Sequence, residues 1–382
     1  MKKKSKRYRE ILKSTLKNKK ANIKEAIDLV KKNSNLKFDG VGGNLMENHE
    51  FSSIFPMSDL TVMGILPVLM KINKLLKRIN QVTEDILIKK PDLVILIDSP
   101  DFNHRVAKRL KKNSFKSPVI CYVAPTVWAW RQNRVKSMSK NFDHLLSLLP
   151  FEKDFFIKYG LETTYVGHPV IPKLNEAYNK NSFRETYNLQ KKPILIFLPG
   201  SRQSEIKRHI KPFKDAFKDI KKKIPDIVLT IPSEEKNYNF IKDEFRDSII
   251  ITNEREKFCL FQEANVACAS SGTVTLELGL SLIPMVVIYK LDFLTWSIVS
   301  RLAKVQYISL INLVLNKNSV QELIQSKCNK KNISKSVLDL FLDKEIIENQ
   351  LNDLKDFKKI IIEDKKNPSE KAANKILEFL ND

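Results

Sequence analysis

The chain has 382 residues and a mass of 44.3 kDa, enough for two or three domains at roughly 150 residues each. Hydrophobic residues are 42% and charged residues 29%, so a large core can form and wholesale disorder is excluded. The best apolar run, Leu60 to Ile72, falls short of the roughly 18 residues that cross a bilayer and is broken by Lys71. A spanning protein is excluded; one that lies on a membrane is not.

Basic residues number 67 against 44 acidic, a net charge of +23, and 54 of the 67 are Lys. Lys, Asn and Ile are heavy throughout, which fits compositional drift better than one basic face. No zinc-finger or RNA-stacking signature accompanies the charge, so nucleic acid is not expected as a partner. Anionic lipid surfaces and phosphorylated substrates fit it equally well. Cys121, Cys259, Cys268 and Cys328 are scattered with no CxxC, the pattern of free thiols in a reducing cytoplasm. The five His show neither HExxH nor paired spacing, so no metal is expected. His168, in Val166-Gly167-His168-Pro169, is the one in a Gly/Pro-shaped loop and is a candidate for a local role.

In chain order, Lys2 to Lys20 is basic, and no apolar segment of a secretory signal follows it. A helix is predicted over Ala21–Lys32, then a turn at Gly40, Gly42 and Gly43. Only nine Gly occur, about a third of the usual ~7%, so each one marks a backbone requirement. Val62, Met63, Leu66, Leu69, Met70 and Leu76 alternate with Lys71, Lys74, Lys77 and Arg78, which suits either an interfacial helix or a core-facing one. Strands are predicted at Leu93–Ile97, Val119–Val123, Leu145–Leu149 and Thr164–Val166. A polar linker, Lys173 to Lys192, separates them from a second set at Ile194–Leu198, Ile227–Ile231, Ser248–Thr252, Val266–Ala269 and Pro284–Ile288. Continuous apolar strands alternating with helices such as Ile206–Lys222 argue for parallel sheets covered on both faces. The expected domains are 1–173, 174–335 and a charged helical tail, 336–382.

Four stretches can carry chemistry. Ile97-Asp98-Ser99-Pro100-Asp101 closes a strand, and open α/β sheets bind ligands beyond the carboxyl ends of their strands. A carboxylate there can take a proton from a hydroxyl; the plainer alternative is that one Asp, Asp101 above all, caps the next helix. Trp128, Trp130 and Arg131 follow the next strand and suit a sugar platform or simple packing against a helix. Leu198-Pro199-Gly200-Ser201-Arg202 leads from strand to helix, where amides and a guanidinium can meet a diphosphate. Ser270-Ser271-Gly272-Thr273 repeats that design, with Glu277 one turn on and able to accept from ribose hydroxyls. GxGxxG and GxxxxGK[ST] are both missing, which removes support for dinucleotide and P-loop readings.

These stretches resemble the lipid-A-disaccharide synthase family. The matching segments are VGGNLM (41–46), LTVMGI (60–65), IDSPDFN (97–103), APTVWAWRQNRV (124–135), LLPFEKDFF (148–156), VGHPV (166–170), LPGSRQSEI (198–206), SSGTVTLE (270–277), PMVVIYK (284–290) and YISLINL (307–313). The resemblance implies a GT-B fold, two Rossmann-like domains facing a central nucleotide cleft, the first on the acceptor and membrane side. It implies transfer of 2,3-diacylglucosamine from UDP to the 6-hydroxyl of 2,3-diacylglucosamine 1-phosphate (lipid X), with inversion and without cofactor or metal. Asp98 becomes the general base. Gly200, Ser201, Arg202, Ser271, Gly272, Thr273, Glu277 and Asn312 serve UDP. Val62, Met63, Leu66, Leu69, Met70, Trp128 and Arg131 lie on the acceptor and membrane side. Attachment to the cytoplasmic face of the inner membrane and a homodimer are the partners it suggests. The match departs at Ile11–Lys20, where the family has a GExSGD loop, and at Ile311, where it has Pro. That departure carries a second reading, a relative that binds UDP-sugar or lipid without turnover. A third is another UDP-sugar enzyme of the same fold, such as a 2-epimerase.

Overall fold

The computed structural model describes residues 36–47, 51–60, 65–127, 133–177, 182–302, 305–364 and 366–381. The chain divides into two compact units: Met1–His168 with Lys365–Asp382, and Pro169–Asp364.

In the first unit, β1 (Val94–Ile97), β2 (Val119–Tyr122), β3 (His144–Ser147) and β4 (Thr163–Tyr165) form one parallel sheet in the order 1-2-3-4. Helices α1 (Ile65–Lys89), α2 (Pro100–Lys112), α3 (Asn133–Asn141) and α4 (Pro150–Ile157) punctuate it. Val106, Ala107 and Leu110 of α2 recur at helical spacing and are fully buried with Leu145 and Phe156. The last helix of the chain, α11 (Pro368–Asn381), returns to this unit: Ala372 joins Ile120, Leu146 and Val166 in one buried cluster. The segment that reads as a charged tail is therefore partly core.

The second unit carries β5 (Ile194–Leu198), β6 (Val228–Pro232), β7 (Ile249–Ile251), β8 (Val266–Ser270), β9 (Met285–Tyr289) and β10 (Gln321–Ile324). All are parallel, in the order 10-9-8-5-6-7. This is the doubly wound order, with β5 first and β8 on its other side. Every residue of β5 and β8 is buried, as strands covered on both faces require. The elements that matter here are α5 (Gln203–Lys223), α6 (Glu254–Glu263), α7 (Thr273–Leu280), α8 (Leu310–Leu315), α9 (Lys330–Leu342) and α10 (Lys344–Ile361). Ile206, His209, Ile210, Phe213, Ala216 and Ile220 form the buried stripe of α5, and Phe213 stacks on Phe197 of β5 at 3.6 Å between ring centres. Leu354, Phe357 and Ile361 of α10 are buried in the same unit.

The segment that reads as a polar linker is folded into this unit. Arg184 donates to the carbonyls of Gln190, Lys192 and Glu263 and to Asn265, a fork of bonds that fixes the stretch against α6. Polar composition there reflects a bonded surface, not a free tether.

His144 supplies a pH test of the first unit. Its ring pairs with Thr164 at 2.9 Å and lies 5.2 Å from the Phe379 ring of α11. Burial first, then the Lys375 charge, depresses its pKa to about 4. An unfolded chain takes up this proton near pH 6.5, so stability is lost as pH falls from about 6.5 toward 4. His144→Gln, which cannot titrate, is expected to flatten the fall in denaturation midpoint between pH 7 and pH 5.

Candidate active site

The sheet of the second unit has one switch point, between β5 and β8. From β5 the chain winds outward through β6 and β7; from β8 it winds the other way through β9 and β10. The loops leaving the carboxyl ends of these two neighbouring strands diverge, and a crevice opens where no connection crosses. Those loops are Pro199–Arg202 and Ser271–Gly272, the two turns singled out above.

The first turn already holds an anion of its own. Arg202 is the N-cap of α5, and its side chain makes no capping bond. Glu205, three residues on, accepts from the backbone amides of Ser201 and Arg202, half of a capping box. Tyr289 of β9 donates its hydroxyl to the same carboxylate. Burial pushes the Glu205 carboxyl up, while the Arg202 charge and the two amides pull it back. Gly200 has φ +114°, and a Cβ there would collide with the Glu205 carboxylate. The glycine makes room for Glu205. Gly200 and Ser201 thus enclose this carboxylate, the Ser201 amide donating to it, and the Arg202 charge acts on it as well.

His209 braces the same turn from the buried stripe of α5. Its Nε2 accepts from the Lys290 amide at 3.0 Å, so Nδ1 carries the proton and donates to the Pro199 carbonyl at 2.7 Å. Burial lowers its pKa, which keeps the ring in that neutral form. A His at an apolar-stripe position was the available sequence signal.

The second turn is open. Gly272 is the N-cap of α7 with no side-chain capping bond, and a Cβ there would meet nothing within 4 Å. Ser271 donates its hydroxyl to the Ile308 carbonyl at 2.7 Å. The amides of Ile308 and Ser309 donate in turn to the carboxylate of Glu322 on β10, at 2.9–3.2 Å. Glu322 therefore sets the 308–309 loop, and that loop clamps the turn. Asn312 belongs to this brace: it accepts from the Ser319 and Val320 amides and donates to the Val320 carbonyl and Glu322. It is fully buried, and its amide capacity is used inside the fold. A direct UDP contact, which the resemblance implies for Asn312, has no donor or acceptor left to make it. Glu277 sits in the fifth position of α7, its Oε2 bound by the Lys257 ammonium at 2.8 Å.

In the first unit, Asp98 follows β1, at one edge of the four described strands. Asp98 and Ser99 both lie in the left-handed region, φ +49° and +42°. Each such residue costs about 1–2 kcal/mol, and Val123 at the end of β2 adds a β-branched residue at φ +78°. Asn103 holds the strained turn by donating to the carbonyls of Ile97 and Asp98. The N-cap of α2 is Ser99, without a side-chain bond. Asp101 does not cap: it pairs with Arg134 at 2.9 Å, and Arg134 also donates to the Pro100 carbonyl. Asp98 is left exposed to solvent.

Trp128, Arg131, Val62 and Met63 lie outside the described residues, as does the basic segment 1–20; Leu66, Leu69 and Met70 are described only as backbone of α1. Lower on α1, Ile72 is exposed, while Lys74 and Arg78 both bind Asp59 and Arg78 lies 4.5 Å from the Phe55 ring centre. Among the described residues no helix is long and apolar enough to cross a membrane, and no three His, Cys, Asp or Glu side chains gather as metal ligands.

The family model described as Lipid-A-disaccharide synthetase matches residues 17–376. The chain belongs to the lipid-A-disaccharide synthase family. A lipid-A-disaccharide synthase of Gluconobacter oxydans is 37% identical over 352 residues, covering 91% of this chain and 84% of its own. One of Rickettsia conorii is 36% identical over 330 residues, covering 83% and 73%. Among solved structures, the UDP-GlcNAc 2-epimerase of Neisseria meningitidis bound to UDP-GlcNAc aligns with TM-score 0.55 at 14% identity, over 88% of this chain and 87% of that one. A trehalose-6-phosphate synthase aligns at 0.51 and 9%, over 87% and 86%. Those likenesses carry the fold, which is GT-B with two parallel sheets. The family carries the chemistry: disaccharide-forming glycosyltransferases that use UDP-sugar and lipid substrates. Its match over 17–376 takes in both turns and the Asp98 segment, and favours the enzyme over an inactive relative.

Glu322 offers a direct test of the brace behind the second turn. Glu322→Gln replaces one acceptor oxygen with an NH2 group facing backbone donors, at a cost of about 1–3 kcal/mol. A lower denaturation midpoint with weaker UDP binding in calorimetry is the expected result; UDP affinity unchanged would separate the loop from the site.

Proposed function

We propose that this chain moves 2,3-diacylglucosamine from UDP to the 6-hydroxyl of 2,3-diacylglucosamine 1-phosphate. The single observation that carries the reading is family membership across 17–376, with the switch-point turns supporting it as a nucleotide site. In the step, the acceptor oxygen attacks the anomeric carbon, the bond from that carbon to the diphosphate oxygen breaks, and the configuration inverts. The hydroxyl proton passes to Asp98. UDP departs with the bonding pair.

The donor belongs to the second unit. Arg202 meets the diphosphate, the α7 amides after Gly272 supply its second contact, and Glu277 accepts from the ribose. Preorganised donors of this kind stabilise a leaving group as its charge develops. Arg202→Ala is expected to weaken UDP binding by about 1.5–3 kcal/mol, the worth of a charge-assisted hydrogen bond. Calorimetry with UDP reads this directly, and an unaltered affinity removes Arg202 from the donor site.

Asp98 supplies the base. Asp98→Asn should lower turnover by about 10²–10⁴-fold, the usual share of general base catalysis, with UDP affinity nearly unchanged because Asp98 belongs to the first unit. The assay uses UDP-diacylglucosamine and lipid X. If Asp98→Asn keeps full turnover while Asp101→Asn abolishes it in a folded protein, the base is Asp101.

Acylated substrates bring the enzyme to a bilayer surface, and the Val62–Leu76 stretch is the proposed contact on the cytoplasmic face of the inner membrane. Because Asp59 already binds Lys74 and Arg78, the attraction to anionic lipid falls mainly on the remaining Lys side chains and the apolar face.

A further inference from the structure

The proposed ribose contact, Glu277, comes with a partner that no motif announces. Lys257 lies on α6, 20 residues earlier, and its ammonium donates to Glu277 Oε2 at 2.8 Å. Both side chains are largely withdrawn from solvent, 19% exposed for Lys257 and 14% for Glu277. The ammonium also lies 4.5 Å from the Phe258 ring centre and 5.7 Å from that of Phe261, so aromatic faces fix it on one side. Such a cation has little freedom to wander.

This geometry divides the two oxygens of the carboxylate. Oε2 takes the ammonium, and among the described residues no bond reaches Oε1, which leaves it to a ligand hydroxyl. A carboxylate pinned at one oxygen presents the other in a fixed direction, which a diol requires and a free side chain does not provide. The ammonium has a second effect. A lone carboxylate near a diphosphate would repel it, and Lys257 cancels that charge within 2.8 Å. The pair also joins α6 to α7, and ligand selectivity, unlike stability, reports on the orientation of the carboxylate alone.

We infer that Lys257 is a positioning residue of the donor site, fixing Glu277 so that its Oε1 receives the ribose hydroxyls of the UDP-sugar. The inference rests on the reading of Glu277 given above. The test is calorimetry of the full chain with UDP and with 2′-deoxy-UDP. The unaltered protein is expected to prefer UDP by about tenfold, the worth of one good hydrogen bond. Lys257→Met reduces that preference to less than about threefold and weakens UDP itself, while Lys257→Arg retains it. A folded Lys257→Met protein with its preference intact overturns the inference and leaves the Glu277 reading standing. No preference in the unaltered protein, or an intact one in Glu277→Gln, overturns the Glu277 reading and the inference with it. If Lys257→Met does not fold, Lys257→Gln, similar in length and uncharged, is read by the same ratio against the same two outcomes.

Discussion

Two neighbouring parallel strands from which the chain departs in opposite directions are the constraint on which the second unit depends. Had β8 been added next to β7, the connections after β5 and β8 would lie side by side and close the crevice. Because β8 pairs with β5 instead, in register from Leu195 with Val266 to Leu198 with Ala269, both turns end at the same level of the sheet. Each then opens into a helix whose first amides point back over the strand ends. The placement of Arg202 and Gly272 beyond two adjoining strand ends follows from that one pairing.

The two turns share a design and divide the labour. At the first, Glu205 and His209 occupy backbone donors and an acceptor, and Tyr289 donates to Glu205, tying the loop to α5, β9 and the Lys290 amide. The Ser201 and Arg202 amides are spent on rigidity. At the second, the backbone amides stay uncapped, and rigidity comes from outside through Ser271, the Ile308 carbonyl and Glu322. One turn presents a guanidinium and the other a helix end.

Much of this was legible in the residues. Nine of the ten described strands announce themselves as short β-branched runs, and Ile194–Leu198 coincides with β5 residue for residue. The tenth did not: Gln-Glu-Leu-Ile is an edge strand whose first residue faces solvent, so it lacks the apolar run of its neighbours. Glu322 was hidden for the same reason, since its role rests on a strand that composition conceals. Lys257 was hidden by its setting in Glu-Arg-Glu-Lys, which reads as a solvated helix face until the fold brings α7 beside it. Gly200 was legible as a backbone requirement but not as a seat for Glu205, because spacing does not tell a ligand oxygen from a side-chain oxygen. The resemblance, by contrast, named the family from segments no single physical rule would join.

Asp98 follows the last residue of β1 as an exposed carboxylate. Its distinguishing feature is backbone strain: two consecutive left-handed residues, with Val123 strained at the end of the adjoining strand. Strain of this kind survives only where the surroundings over-determine the conformation. Here Asn103 grips two successive carbonyls, the Asp98 amide bonds the Tyr122 carbonyl, and Pro100 fixes the first position of α2. A relaxed turn would let Asp98 swing toward the helix end and cap it, as its spacing to α2 invites. The strained one forbids this, while Arg134 holds Asp101 aside. What the strain secures is direction: an exposed carboxylate held off its own helix.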